Sequence, residues 1–357
     1  MLYFPANQLL NALFDIASNI QIESNFCVSH PDYQPFALPL KVADRFQESS
    51  SELQRKYLTL LLRNFLYGIY YNASLQNVLG LNAKSANLLP HQTLENNYVL
   101  GTDWEFYGQL DASNHGVGYF DGGWSVLRQE PDGSLMVMKD GVTLLIEYNS
   151  PLQPSMESVA VGDVVAVLMP KNKLQNGYYL AVSNVSQDID ADLSAGQIYF
   201  NITSEGAIAL MDSLTQQLNA AEIPFRFQVL YNPSAYNRYD SGVLHFHLFD
   251  YPAVRTVLQA VYLQHQSYFQ PEIPLFTKFL APGLSLAESP TLHLTPQESF
   301  GMNRCQIVAS SLLSTWHQGH NTTEERIRAI DEHFTRLNID LQRPYLNPGS
   351  EDIYQPL

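Results

Sequence analysis

The chain has 357 residues, more than the roughly 100–200 that one core usually serves, which predicts two or three packed units. Hydrophobic residues make up 45% and aromatic residues 12%, which excludes a mainly disordered chain. Acidic side chains number 35 against 19 basic ones, a net charge of −16; this argues against a coat for nucleic acid or an anionic membrane, and any anionic ligand must find a local cluster of Arg and Lys.

Segment 1–115 reads as helical, with apolar residues at helical spacing from Leu9 to Ile20 and from Leu53 to Leu66. In the second stretch Ser49 and Glu52 have capping-box spacing, Leu53, Tyr57, Leu61 and Phe65 recur every four residues, and Gly68 is expected to end the helix. The glycines and turn residues of NHGVGYFDGGW and QEPDGSL, between 113 and 135, cannot continue a helix and place a boundary there. Segment 116–203 reads as β-rich, with strands at Leu135–Met138, Val142–Tyr148, Val161–Met169, Tyr178–Val182 and Gln197–Asn201. Segment 204–357 opens with a helix over 205–220, strands at Phe225–Leu230 and Gly242–Leu248, and a helix with Asp250 at its N-cap and Pro252 in its first turn. That order is a split βαβ layer with helices on one side of a sheet. A loop-rich stretch covers 266–301. Two helices follow, one burying Cys305, Val308, Leu312 and Trp316 on one face, the other opened by a Thr322-x-x-Glu325 capping box. The expected fold class is α+β: an N-terminal helical region, a central β-rich region and a split βαβ-like sheet with C-terminal helices.

Cys27 and Cys305 are the only cysteines, which excludes a disulfide framework and a four-thiolate zinc site. No positive charge precedes the apolar N-terminal stretch, the first basic residue being Lys41, and no run approaches about 18 apolar residues. The expected location is cytoplasmic. The Asn-x-Ser/Thr sequences at Asn72, Asn184, Asn201 and Asn321 read as chance matches.

Gly116-Val-Gly118 follows a helical region and precedes no helix, so it reads as a turn rather than a phosphate cradle. The usual patterns of P-loop ATPases, α/β-hydrolases and zincins are absent. His245 and His247 lie two apart in a predicted strand and share a face, yet no third ligand is spaced nearby, so no metal or other cofactor is expected. A better use of that face is the border of an anion pocket, with Arg226 and Gln228 alongside on the neighbouring strand. In the connection 232–241, Arg238 and Asp240 form either a structural pair or a phosphate-binding Arg oriented by its carboxylate. Lys171 and Lys173, near Tyr179, are ordinarily solubilising loop residues. Lys278 and Arg304 sit in apolar or glycine-containing sequence, where an unpaired charge is costly and a fixed anionic partner is expected.

The strings LRNFLYGIYYN (62–72), IYFNITSEGAIALMDSLTQQLN (198–219), YNRYDSGVLHF (236–246), PLFTKFLAPGLSLAESP (274–290) and ESFGMNRCQIVA (298–309) resemble the HopA-type effector family. That family is named from type III secretion effectors of plant-pathogenic bacteria. Stand-alone cyanobacterial members look most similar, and relatives also occur beside kinase-like enzymes in lanthipeptide and thioamitide pathways. The resemblance spans about residues 10–354 and implies a phosphoserine/phosphothreonine lyase, acting on a peptide or protein phosphorylated by a separate kinase and leaving a dehydroamino acid. Such an elimination needs a base for the Cα proton, donors for the enolate-like carbonyl and cations for the departing phosphate. Arg226, Arg238, Lys278 and Arg304 are the expected phosphate- or substrate-binding residues. Lys171 or Lys173 is the expected base, with Tyr179 or His247 as proton donor and Asp240 orienting Arg238. One departure matters: Phe225-Arg-Phe-Gln228-Val holds glutamine where the lyase-like members are expected to hold lysine, and an amide cannot deprotonate carbon. The alternative is therefore a non-catalytic phosphopeptide- or protein-binding module.

Overall fold

The computed structural model describes residues 5–82, 101–148, 150–153, 159–185, 195–294 and 298–357. Helix α1 (Pro5–Asn19) buries Leu13, Ile16 and Ala17. A small antiparallel sheet then enters the helical region: β1 (Gln21–Glu23), β2 (Cys27–His30) and β3 (Tyr33–Ala37). Its strands are too short to show a period in the sequence, and Phe26, at φ 60°, makes the turn between the first two. Helices α2 (Leu40–Gln47) and α3 (Ser51–Leu66) follow. The cap of α3 is Ser50 rather than Ser49, its hydroxyl accepting the Leu53 N–H. Nor does Gly68 end the helix, which continues as a π-helical turn through Tyr67–Tyr71. Gly68 instead admits the Leu75 side chain, with which any Cβ would collide. Helices α4 (Gln76–Leu79) and α5 (Trp104–Ser113), the latter capped by Asp103, complete this part.

A five-stranded antiparallel sheet comes next, made of β4 (Tyr119–Gln129), β5 (Leu135–Lys139), β6 (Val142–Ile146), β7 (Leu152–Gln153) and β8 (Val164–Met169) in the order β6-β5-β4-β8-β7. Of the glycines expected to make turns, Gly122 and Gly123 lie inside β4, whereas Gly116 and Gly118 precede it and Gly133 lies in the β4–β5 connection. The register of β4 against β8 shifts between Asp121 and Trp124, so Gly122 and Gly123 form a bulge, with Gly123 at φ 88°. Trp124, Val126, Val137 and Val165 give this sheet a core separate from the main one. The ends of the unit adjoin: the Asn114 side-chain amide donates to the Lys171 carbonyl at 3.1 Å, and Lys171 Nζ donates to the Asn114 carbonyl at 3.1 Å.

The main sheet has seven antiparallel-paired strands. Its members are β9 (Asn172–Gln175), β10 (Tyr178–Val182), β11 (Ala195–Phe200), β12 (Phe225–Leu230), β13 (Gly242–His247), β14 (Lys278–Ala281) and β15 (Leu284–Glu288), in the order β14-β15-β11-β13-β12-β10-β9. Strands β11 and β12 both run antiparallel to β13 between them and are joined by α6 (Ser204–Ala220), which is the split βαβ arrangement. Helix α7 (Tyr251–His265) packs on α6. The hairpin β14–β15 occupies the stretch read as loop. All five residues of β15 are buried, the polar Ser285 and Glu288 included, so its burial does not follow the polarity of its sequence. Helix α8 (Phe300–Gln318) packs against α3 and buries Cys305, whose thiol burial pushes far above its ordinary pKa. Helix α9 (Thr323–Arg336) carries the Thr322–Glu325 capping box with both arms made. Among the described residues no helix is long and apolar enough to cross a membrane.

Candidate functional site

Cross-strand partners share a face, so the register of the main sheet assembles two rows of side chains on it. One row carries Val182, Arg226, His245 and Gln197; the next carries Leu180, Gln228, Val243 and Tyr199. Arg226, Gln228 and His245 are half-buried near the middle of the sheet. Gln197 donates to Ser289 Oγ at 3.0 Å and accepts from the Tyr199 hydroxyl at 2.5 Å, which fixes the far end of its row. Tyr199 in turn meets the edge of the Tyr71 ring at 6.3 Å. His247 is buried and stacks on Phe249, with ring centroids 5.3 Å apart. Among the described residues no group of three His, Cys, Asp or Glu side chains could hold a metal ion.

The remaining candidates are engaged elsewhere. Arg238, in the β12–β13 connection, grips Asp240 with both sides of its guanidinium, Nε at 2.5 Å and Nη2 at 2.8 Å. Tyr67 and Asn72 each donate to the same carboxylate at 3.2 Å, so the pair fastens this connection to the π-helical turn. Burial, the largest single effect, works against the Arg238 charge, but Asp240 together with Tyr178 and Tyr67 holds the pKa well above the ordinary value. Arg304, on α8, is 1% exposed and donates to the carbonyls of Pro344 at 2.7 Å and Leu346 at 3.2 Å, with the Phe300 ring 4.9 Å away. Burial brings its pKa down to about 10, and no carboxylate forms a direct pair with it among the described residues. The fixed anion expected for Arg304 is replaced by backbone carbonyls.

For Lys278 the expected anion is present. Its ammonium donates to Asp352 at 2.8 Å and to the Tyr345 hydroxyl at 3.2 Å, and Tyr345 donates to Asp352 at 2.6 Å. Although burial opposes it, hydrogen bonds from Lys278 and Tyr345 hold the Asp352 carboxyl below its ordinary pKa. Glu288 adds a third anchor, accepting from Tyr354 and from the Asn347 N–H at 2.8 Å each. Lys278, Arg304 and Glu288 thus fasten one segment, 344–354, to the body of the fold. Asp352, Asn347 and Tyr354 carry no motif that would reveal this from sequence.

Lys171 donates to the carbonyls of Asp111 at 2.7 Å and Asn114 at 3.1 Å, a cation closing the C-terminal end of α5. Tyr179 is fully buried and donates to Asp111 at 2.9 Å while accepting from Asn114 at 3.0 Å. Burial, supported by Asp111 and opposed by Asn114, keeps its hydroxyl protonated well above the ordinary range. Lys173 is exposed, with its ammonium 6.0 Å from the centre of the Tyr119 ring.

The structure therefore spreads the candidates over the main sheet and its surroundings. Arg226, Gln228, His245 and His247 lie on the middle strands. Arg238 and Arg304 stand at the ends of a run of rings, Tyr67 stacked on Tyr71 at 4.9 Å and Tyr71 6.5 Å from Phe300. Lys278 and Lys173 lie on opposite edge strands, six inter-strand gaps or roughly 30 Å apart at ordinary spacing. A base and a phosphate clamp must meet within one amino-acid residue, so those two lysines cannot serve the same elimination.

Comparison with known proteins finds the HopA1 effector protein family matching residues 169–346. No curated protein matches the chain. Among solved structures, it is similar to the effector protein from Pseudomonas syringae pv. tomato strain DC3000, at 14% identity over 96% of this chain and 98% of that one, with a TM-score of 0.46. It is also similar to the effector protein from Pseudomonas syringae pv. syringae strain 61, at 10% identity over 96% and 98% of the two chains, with a TM-score of 0.41. Through residues 169–346, which carry the seven-stranded sheet and its helices, the chain belongs to the HopA1 effector protein family.

Proposed function

We propose that this chain is a binding module that holds a phosphorylated peptide or protein at the Gln228 face of the main sheet without eliminating phosphate. The observation that carries the reading is Gln228. It lies in the middle of that face, between Leu180 and Val243, with Arg226 and His245 in the adjacent row. An amide there can donate to a phosphate oxygen or a peptide carbonyl but cannot take a proton from carbon. Arg238, Arg304, Lys278 and Lys171 are each occupied with internal partners, and Lys173, the remaining cation that an elimination would draw on, is exposed on the edge strand β9.

The test incubates the protein with phosphoserine and phosphothreonine peptides and follows binding by fluorescence anisotropy and products by mass spectrometry. The expected result is binding without loss of phosphoric acid, weakened in Arg226→Ala. Loss of phosphoric acid with the wild-type chain overturns the reading in favour of a phosphoserine/phosphothreonine lyase working beside a separate kinase. Activity appearing only in Gln228→Lys identifies a lapsed member of such a lyase group.

A further inference from the structure

A groove with a volume of about 1100 Å³ lies on another part of the molecule, between α1, the approach to β14 and α9. That lies at the upper limit of an ordinary small-molecule pocket, roughly 300–1,000 Å³, and leaves room for a length of polypeptide. Its floor is apolar, from Leu9, Ile273, Leu275, Phe276 and Ile327, and the apolar surface continues onto the outer face of α1 through exposed Leu10 and Phe14. One wall is β14, an edge strand of the main sheet. Phe276, which leads into that strand, is held at φ 71°, a conformation a bulky side chain rarely adopts.

Two features define the occupant. First, the edge of β14 is already used for added backbone. The Leu280 carbonyl accepts the Leu357 N–H at 2.9 Å, and Pro356 and Phe279 border both the groove and a smaller hollow beyond it. An extended segment lying in the groove would continue along the same edge. Second, the rim is acidic. Glu324 and Asp331 are exposed on α9 against one exposed cation, Arg328, because Lys278 is neutralised by Asp352.

We propose that this groove binds an extended, basic segment of a partner protein, whose alternate apolar side chains fill the floor and whose backbone adds to the β14 edge. The site is separate from the sheet face around Gln228 and stands whichever way the phosphopeptide experiment falls.

The test uses a fluorescein-labelled peptide alternating leucine with lysine, and a counterpart with glutamate for lysine, read by anisotropy at moderate salt. The wild-type chain is expected to bind the lysine peptide and not the glutamate one. The Glu324→Gln/Asp331→Asn variant, whose exposed substitutions leave the core alone, is expected to bind about three- to tenfold more weakly, the loss of two surface attractions. Amides in 276–281 are expected to exchange hydrogen more slowly in the complex. Equal binding of the two peptides, no binding, an affinity unchanged in the double variant, or no slowing in 276–281 overturns the proposal; so does self-association through the groove, seen by sedimentation and lost in that variant.

Discussion

Replacing Asp240 by alanine tests whether the Arg238 pair is a brace or a ligand site. Both residues are buried, at 3% and 4% exposure, and the substitution removes the acceptor of two guanidinium bonds together with those from Tyr67 and Asn72. An uncompensated buried guanidinium costs about 3–5 kcal/mol, a large share of the roughly 5–15 kcal/mol that holds a domain folded. In urea, at a slope of roughly 3 kcal/mol/M, the unfolding midpoint should fall by about 1 M or more. Arg238→Met/Asp240→Leu, which removes both charges and fills the space, should recover most of that loss. A loss below about 1 kcal/mol for Asp240→Ala, the scale of an exposed pair, would refute the reasoning. Unimpaired stability in Arg238→Ala together with abolished phosphopeptide binding would make Arg238 a ligand group instead.

Two further outcomes follow from the anchors and the aromatic run. The folded-state pKa of Asp352 lies below its ordinary value of 3.8, so its contribution to stability is complete above that value and is lost as the pH falls through the lower folded one. Thermal unfolding followed against pH should therefore show Asp352→Asn less stable than wild type near neutrality, with the difference closing in strong acid; a difference independent of pH would assign the effect to packing. A Cβ at residue 301 would run into the Tyr71 ring, so Gly301→Ala should cost about 1–3 kcal/mol in urea unfolding and disturb the near-ultraviolet circular dichroism of the tyrosines.

The helices were legible where capping chemistry is local. Thr322 and Glu325 stand three residues apart and cap each other as their spacing implies, whereas consecutive serines at 49 and 50 leave the start of α3 ambiguous by one residue. Glycine misled twice for one reason: its missing Cβ serves close packing at Gly68 and a bulge at Gly122–Gly123 as well as it serves a turn. In the candidate site, the pairing of Arg238 with Asp240 was legible because the partners are two residues apart. For Lys278 and Arg304 the sequence indicated that each charge needs a partner but not which one, since Asp352 lies 74 residues from Lys278 and the Pro344 carbonyl 40 from Arg304. Gln228 stood out only through the resemblance, as an amide where a lysine was expected, and only the strand register shows it in the middle of the sheet.

The five-stranded sheet has its own core and is tied in where Asn114 and Lys171 hydrogen-bond to each other. A stretch of chain that leaves and returns at one point behaves as a cassette: it can lengthen, shrink or be exchanged without moving what lies beneath it. Among the described residues the strands of this unit pair only with one another, so a substitution in their core is expected to leave the seven-stranded sheet in place. The family match, which starts at 169, begins where that freedom ends.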